Sequence, residues 1–309
     1  MAFVNALIEN IKKVIVGKDE TIKMLTAALL TGGHILLEDV PGVGKTQLAA
    51  TLSKSVAGKF NRIQMTPDIM PSDIVGFDMI DKNTGEYTYK AGAAYCNFLL
   101  ADEINRASPK SQSALLEVME EQQISLDGKT IKLPDPFMVI ATQNPVETYG
   151  TYHLPEAQMD RFMMKLSLGY PDKAQELEIL NRTEKINPIE NISAVMSTDD
   201  VCQMKKEAQA VSCIESLREY IISIVLKTRD SELVKLPVSP RGSIALLKAS
   251  KALAYISGRD FVTPDDIRLC AKSVLCHRVI LSPKGKAAYG SEERVIEEIV
   301  KSIPVPSIL

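Results

Sequence analysis

From His34 to Asp172, short apolar runs rich in Ile, Leu, Val, Met and Phe alternate with stretches of helical periodicity. None of these runs alternates cleanly between apolar and polar positions. Each therefore predicts a strand buried on both faces, the arrangement of a parallel sheet covered by helices. The runs lie at His34–Leu37, Phe60–Met65, Phe98–Ala101, Phe137–Thr142 and Met163–Leu168. Between them, Pro109 follows Ser108 at a first-turn position where its missing N–H costs nothing, and Ala114, Leu115, Val118 and Met119 supply an apolar helix face. Two segments break the rhythm, each predicting a hairpin that projects from the sheet layer. One spans residues 74–96, with its turn at Asn83-Thr84-Gly85, and the other spans residues 124–133 around Asp127-Gly128.

Beyond about residue 185 the strand-like runs give way to helical periodicity. Thr263-Pro264 pairs a cap with a first-turn proline, and Ile267, Cys270, Ala271, Val274 and Leu275 follow at the spacing of one helix face. Ser239-Pro240 opens another helix, with Ile244, Leu247 and Ala254 assigned to its apolar face and Gly258 to its stop. The pattern thus divides the chain into an α/β half, residues 1–185, and an all-helical half, residues 186–309, linked through Thr183–Asp200.

Composition narrows the function. The 309 residues, at roughly 150 per domain, agree with two domains. With 45% hydrophobic and 24% charged residues the chain has a globular balance and no need of disulfide staples. A net charge of −3, from 36 Lys+Arg and 39 Asp+Glu, argues against a dominant affinity for nucleic acid. Five cysteines without a CxxC pair and three scattered histidines indicate neither a disulfide framework nor a zinc site, and the cysteines read as reduced core residues of a cytoplasmic protein. No apolar run reaches the roughly 18 residues of a membrane span, and the mixed apolar and charged N-terminus resembles neither signal peptide nor anchor.

The chemistry concentrates at the ends of the predicted strands. After His34–Leu37 come Glu38-Asp39-Val40-Pro41-Gly42-Val43-Gly44-Lys45-Thr46 and a helical stretch beginning at Gln47. Strand, glycine loop and helix N-terminus are the parts of a phosphate-binding loop, in which free N–H groups and the helix dipole attract an anion. Gly42 and Gly44 let the backbone approach it, Lys45 would meet the β- and γ-phosphates, and the Thr46 hydroxyl would ligate Mg²⁺. Asp39 stands where the usual GxxxxGK[ST] pattern has its first glycine. Downstream, the apolar run Phe98–Ala101 ends in Asp102-Glu103, one carboxylate suited to Mg²⁺ and one to orienting or deprotonating water. Phe137–Thr142 ends in Gln143-Asn144-Pro145, which sets a carboxamide at the carboxyl edge of the sheet, where open α/β sheets bind ligands.

Together VPGVGKT, LLADEINRA, ATQNPVE, LPEAQMDRF and VSPR resemble the MoxR family of AAA+ ATPases, from about Ile15 to the end of the helical region. The resemblance implies a three-layer αβα P-loop core with a five-stranded parallel sheet and a C-terminal all-helical lid. It places Lys45 and Thr46 in a Walker A loop, with Pro41, Gly42, Val43, Gly44 and Gln47 around the nucleotide, and Asp102 and Glu103 in Walker B. Asn144 matches the sensor-1 residue, Arg161 an arginine finger inserted by a neighbouring subunit, and Arg241 a sensor-2 arginine on the lid. Val16-Gly17 resembles the segment that cups adenine, and Arg106 is a second candidate for an intersubunit contact. The two hairpins resemble the helix-2 and pre-sensor-1 inserts, whose expected duty is to touch a partner protein.

The function implied is ATP hydrolysis with Mg²⁺ at a cleft between core and lid, completed by Arg161 of the next copy in a homo-oligomer, a hexameric ring. Its clients would be proteins being matured or assembled, such as metalloenzymes or proteins with a von Willebrand A domain. Three alternatives compete: a magnesium-chelatase I-subunit-like ATPase, a DNA remodeller disfavoured by the charge, and a non-catalytic nucleotide-gated scaffold disfavoured by Glu103.

Overall fold

The computed structural model describes residues 2–80, 85–126, 128–145, 150–184 and 188–306. Helices α1 (Ala2–Lys12) and α2 (Asp19–Leu30) precede strand β1 (Ile35–Glu38), which leads into α3 (Lys45–Ser55) and β2 (Phe60–Gln64). A short α4 (Pro71–Val75) opens the first hairpin, β3 (Gly76–Ile80) and β4 (Tyr87–Ala91). Then come β5 (Phe98–Asp102), α5 (Pro109–Glu121), the second hairpin of β6 (Gln123–Leu126) and β7 (Lys129–Lys132), β8 (Met138–Gln143), α6 (Glu156–Met159), β9 (Met164–Leu166) and α7 (Lys173–Thr183). Both predicted hairpins are present, and their turn residues Asn83, Thr84 and Asp127 lie outside the described residues.

Five strands form one parallel sheet in the order β2-β5-β8-β1-β9, with Phe60 opposite Phe98, Phe98 opposite Met138, and Ile35 opposite both Ile140 and Met164. Successive side chains of a strand point to opposite faces. Accordingly Ile35, Leu37, Phe98, Leu100, Met138 and Ile140 enter one core, while Leu36, Leu99, Ala101, Val139 and Ala141 enter another. Burial on both faces explains why β1, β5 and β8 show no alternating pattern, whereas the edge strand β2 buries only Ile63.

The remaining helices are α8 (Thr198–Ala210), α9 (Glu215–Arg229), α10 (Pro240–Ile256), α11 (Pro264–Leu275), α12 (Pro283–Tyr289) and α13 (Glu292–Ser302). The region is helical as expected, with one short antiparallel ribbon of β10 (Val234–Leu236) and β11 (Ile280–Leu281). Helix α11 has its predicted cap at Thr263, which forms a capping box with Asp266, and all five of its predicted face residues are buried. The face assigned to α10 is corrected in part: Ala254 is buried and Leu247 half-buried as expected, but Ile244 is not. Ile244 is 54% exposed, and Ala245, Leu246, Ala249 and Leu253 point inward instead. This helix packs on α2, α8, α9 and α11, so alanines as well as leucines are buried on its crowded sides.

The two halves are not separated by a hydrophobic gap. Val4, Leu25, Ile35 and Leu37 share a core with Met204, Leu217, Leu253, Ile267 and Val295, because α2 packs against α8 and α10. Lys165 on β9 adds a polar tie, lying 2.8 Å from Glu38 at the end of β1 and 3.1 Å from Glu293 in the first turn of α13. Cys96, Cys270 and Cys276 are buried thiols, whereas Cys202 and Cys213 are only half-buried. Among the described residues no helix is long and apolar enough to cross a membrane.

Candidate functional site

At the carboxyl end of β1 the chain enters the glycine loop. Gly42 and Gly44 have φ of 85° and 97°, left-handed values that strain any residue with a Cβ, and no atom lies within 4 Å of where either Cβ would stand. The inner side of the loop is therefore open. Helix α3 starts at Lys45 with no side-chain cap, so its first-turn N–H groups, which have no acceptor within the helix, face that opening. Lys45 Nζ donates to the carbonyls of Asp39 (2.8 Å) and Val40 (3.4 Å), spanning the loop it belongs to.

Asp39 turns away from the loop. Its carboxylate accepts from Ser167 Oγ (2.8 Å), Leu168 N (2.5 Å) and Gly169 N (3.0 Å), which fastens the start of the loop to the segment that follows β9. The missing glycine is thus replaced by a tether, directed away from where phosphate would lie.

Three adjacent strands bring the acidic residues together. Asp102, the last residue of β5, accepts from Thr142 Oγ1 on β8 (2.6 Å) and pairs with Arg62 on β2 (2.7 Å). Glu103 follows in a left-handed conformation, φ 57°, that is costly for a residue with a side chain. Its N–H donates to Thr142 Oγ1 (2.9 Å), and its Oε2 receives Gln64 Nε2 (2.7 Å) and Arg106 (2.9 Å). Arg106 therefore pairs within its own chain. Arg62, Gln64 and Thr142 were not anticipated. The signal available was a polar residue near the carboxyl ends of β2 and β8, Gln64 and Thr142, whereas Arg62 stands in the middle of a mixed strand.

Lys45, Thr46, Asp102, Glu103 and the buried Asn144 line one cavity of about 360 Å³, together with Pro41 and Arg62. A second, mainly apolar cavity of about 260 Å³ is walled by Ile15, Val16, Val43, Pro171 and Ile179. Gly42, Gly44 and Gln47 border both, so the glycine loop stands between an apolar chamber and a polar one. Gly17 does not line either. It has φ 67° and lies beneath Gln175, whose Nε2 would be 2.3 Å from an added Cβ.

Arg161 and Arg241 are elsewhere. Both line a cavity with residues Thr31 to His34, which precede β1, whereas the phosphate loop follows it; they are thus at the opposite edge of the sheet. Arg161 donates to Leu116 O (2.9 Å) and lies 3.1 Å from Glu120, which also pairs with Arg241. Asp160 links the two segments: it accepts from Arg278 Nε (2.7 Å) and from Ser239 Oγ (2.7 Å), the residue before Pro240-Arg241. Ser239 thus spends its hydroxyl on the core instead of capping α10. The buried Arg278 also donates to the carbonyls of Asp160, Phe162 and Met163, gripping the turn that carries Arg161. The expectation that Arg241 faces the nucleotide of its own chain across a core–lid cleft is corrected. Packing of α10 on α2 sets its first turn at the amino edge, and among the described residues none beyond Pro188 lines either of the two cavities at the loop.

The same edge contains His34, whose Nδ1 accepts from Val139 N (2.9 Å) and whose Nε2 lies 2.9 Å from Met119 O. Burial pushes its pKa from the ordinary 6.5 down to about 4, outweighing the Met119 carbonyl.

Comparison with known proteins agrees with this architecture. Residues 34–164 match the model of the ATPase family associated with various cellular activities (AAA), and residues 226–299 match that of the AAA lid domain. YeaC, an uncharacterised protein of Bacillus subtilis, is 50% identical over 299 residues, covering 97% of this chain and 93% of its own. Chaperone MoxR1 of Mycobacterium tuberculosis is 40% identical over 307 residues, covering 96% and 81%. A crystal structure from Cytophaga hutchinsonii, described as a candidate ATPase, superposes with a TM-score of 0.91 at 40% identity, over 99% of this chain and 96% of that one. Glycine loop, paired carboxylates, sheet order and helical lid all lead to one assignment: the chain belongs to the MoxR family of AAA+ ATPases.

Proposed function

We propose that this ATPase acts as a head-to-tail ring of identical copies that uses ATP hydrolysis to remodel client proteins. One observation carries the reading: the phosphate-facing residues and the arginine pair stand at opposite edges of the same sheet. A group at the amino edge can serve a phosphate at the carboxyl edge only if it belongs to another copy.

In this reading the base occupies the apolar chamber beside Val16 and Ile179, and the phosphates pass over Gly42 and Gly44 into the polar one. Lys45 leaves the Asp39 carbonyl for the β- and γ-phosphates, and the N-terminus of α3 adds its N–H groups. Thr46 and Asp102 would hold Mg²⁺, which neutralises phosphate charge. Their all-oxygen donor set suits an ion that keeps several of its waters, and among the described residues no group of three His, Cys, Asp or Glu forms a protein cage for a metal. Glu103, steadied by Gln64 and Arg106, draws the proton from the attacking water, and Asn144 orients that water. Arg161 and Arg241 of the adjacent copy stabilise charge on the transferred phosphoryl, an effect worth roughly 10³-fold or more.

The client surface is assigned to the two hairpins. Phe77, Met79, Ile80 and Tyr87 of the first are 42–68% exposed, and Lys129 of the second reaches Asp78 (3.0 Å), so the hairpins present one joined surface. The likeness to a protein named as a chaperone supports this role.

Glu103→Gln and protein dilution test the proposal. Glu103→Gln should bind ATP as tightly as the unaltered protein but lose turnover by roughly 10²-fold or more. The specific activity of the unaltered protein should fall on dilution as copies separate. Turnover per chain that is independent of concentration down to the monomer would remove the shared site.

A further inference from the structure

Glu120 lies in the last turn of α5, near Glu117 and beside Glu121, where the helix dipole disfavours a carboxylate. Its two oxygens engage two different guanidiniums: Oε2 is 3.1 Å from Arg161, and Oε1 accepts from Arg241. Those arginines come from separate parts of the molecule, the turn before β9 and the first turn of α10. Without an anion between them the two cations would repel, Arg161 would keep only its bond to Leu116 O, and the long Arg241 side chain would sample several rotamers.

We infer that Glu120 is a positioning residue for hydrolysis, holding Arg161 and Arg241 as a preformed pair until a phosphoryl group of the adjacent copy takes the place of its carboxylate. Carboxylate and phosphate both meet guanidinium groups through pairs of oxygens, so a spacing set by one serves the other. Ser239, Asp160 and Arg278 fix the backbones of the two segments, and Glu120 fixes the side-chain ends. The inference rests on the arginines acting in a neighbouring copy.

Glu120→Gln keeps the size of the side chain and removes its charge, and with the wild-type side chain 35% exposed the substitution leaves the core intact. Its kcat should fall by about tenfold, since the arginines must now be organised during each encounter. KM for ATP should stay within roughly twofold, because the chain's own nucleotide cavity is untouched. Mixing Glu120→Gln with Lys45→Ala should restore turnover. Lys45→Ala lacks a working phosphate loop but presents an intact arginine pair to the Glu120→Gln site. Unchanged or faster turnover by Glu120→Gln, or a deficit that Lys45→Ala does not relieve, overturns the role. Arg161→Ala mixed with Lys45→Ala runs in parallel. No recovery there sinks the shared-site reading and this inference together, whereas recovery there and none with Glu120→Gln sinks the inference alone.

Discussion

Asp39 shows what a single departure from a motif can do. A glycine at that position would leave the start of the loop untethered, whereas the carboxylate of Asp39 collects three hydrogen bonds from residues 167–169 and is only 6% exposed. Asp39→Asn keeps the volume but supplies one acceptor oxygen where two are used. Losing a charge-assisted bond costs about 1.5–3 kcal/mol, and here that cost falls on the loop proposed to wrap the phosphates. The expected outcome is weaker binding of ATP, by roughly four- to twelvefold if only half that energy reaches the loop, with kcat of the saturated enzyme nearly unchanged. Equilibrium titration with a fluorescent nucleotide checks it, and unaltered affinity would falsify the tether. The Glu103 backbone makes a related point. Its left-handed φ aims the carboxylate out of the line of β5, toward Gln64 and Arg106 and away from the Thr142 hydroxyl that Asp102 uses.

At the scale of elements, His34 binds α5 to β8. Its ring accepts from Val139 and reaches Met119, and it meets Phe137 edge-on at 5.6 Å. Because the folded-state pKa is about 4 and the unfolded one near 6.5, only the unfolded chain takes up the proton between those values. Stability is therefore complete above pH 6.5 and declines as the pH falls toward 4, by on the order of 3 kcal/mol from this residue. Buried His277, with Arg278 beside it, adds in the same direction. His34→Gln should flatten part of this slope, which urea unfolding at pH 7 and pH 5 would measure; an unchanged slope would show that the proton goes elsewhere.

Elements were legible in the sequence to the extent that their signals are local. The glycines, the caps at Ser108 and Thr263, and the five apolar runs each carry their reason within a few residues. The contacts among Arg62, Gln64, Asp102, Glu103 and Thr142 depend on the order β2-β5-β8, which no single segment encodes. Ile244 departs from its expected face for a similar reason: a helix crowded by four neighbours buries its alanines and can leave an isoleucine at a rim.

For the molecule as a whole, the shared core argues that the α/β half and the helical half stand or fall together. Leu253 of α10 is fully buried in the same cluster as Leu25 and Ile35. Leu253→Ala should cost about 2–5 kcal/mol, and the loss should appear in both halves. Hydrogen exchange of amides in β5 and in α11 should accelerate by similar factors in the variant. Exchange that rises in α11 alone would show two independently stable units. The position of Arg241 follows from this packing. The sequence identified the residue, but which phosphate it can reach depends on where α10 docks.

The separation of phosphate loop and arginine pair to opposite edges also makes each copy directional. On the proposed pairing, the loop of one copy meets the arginine pair of the next, a head-to-tail contact whose repeats either close into a ring or run on as an open row. An open row of n copies completes n − 1 sites, leaving one unused loop at one end and one unused arginine pair at the other. Only closure into a circle retires both ends, so full activity per chain becomes a measure of whether the circle is shut.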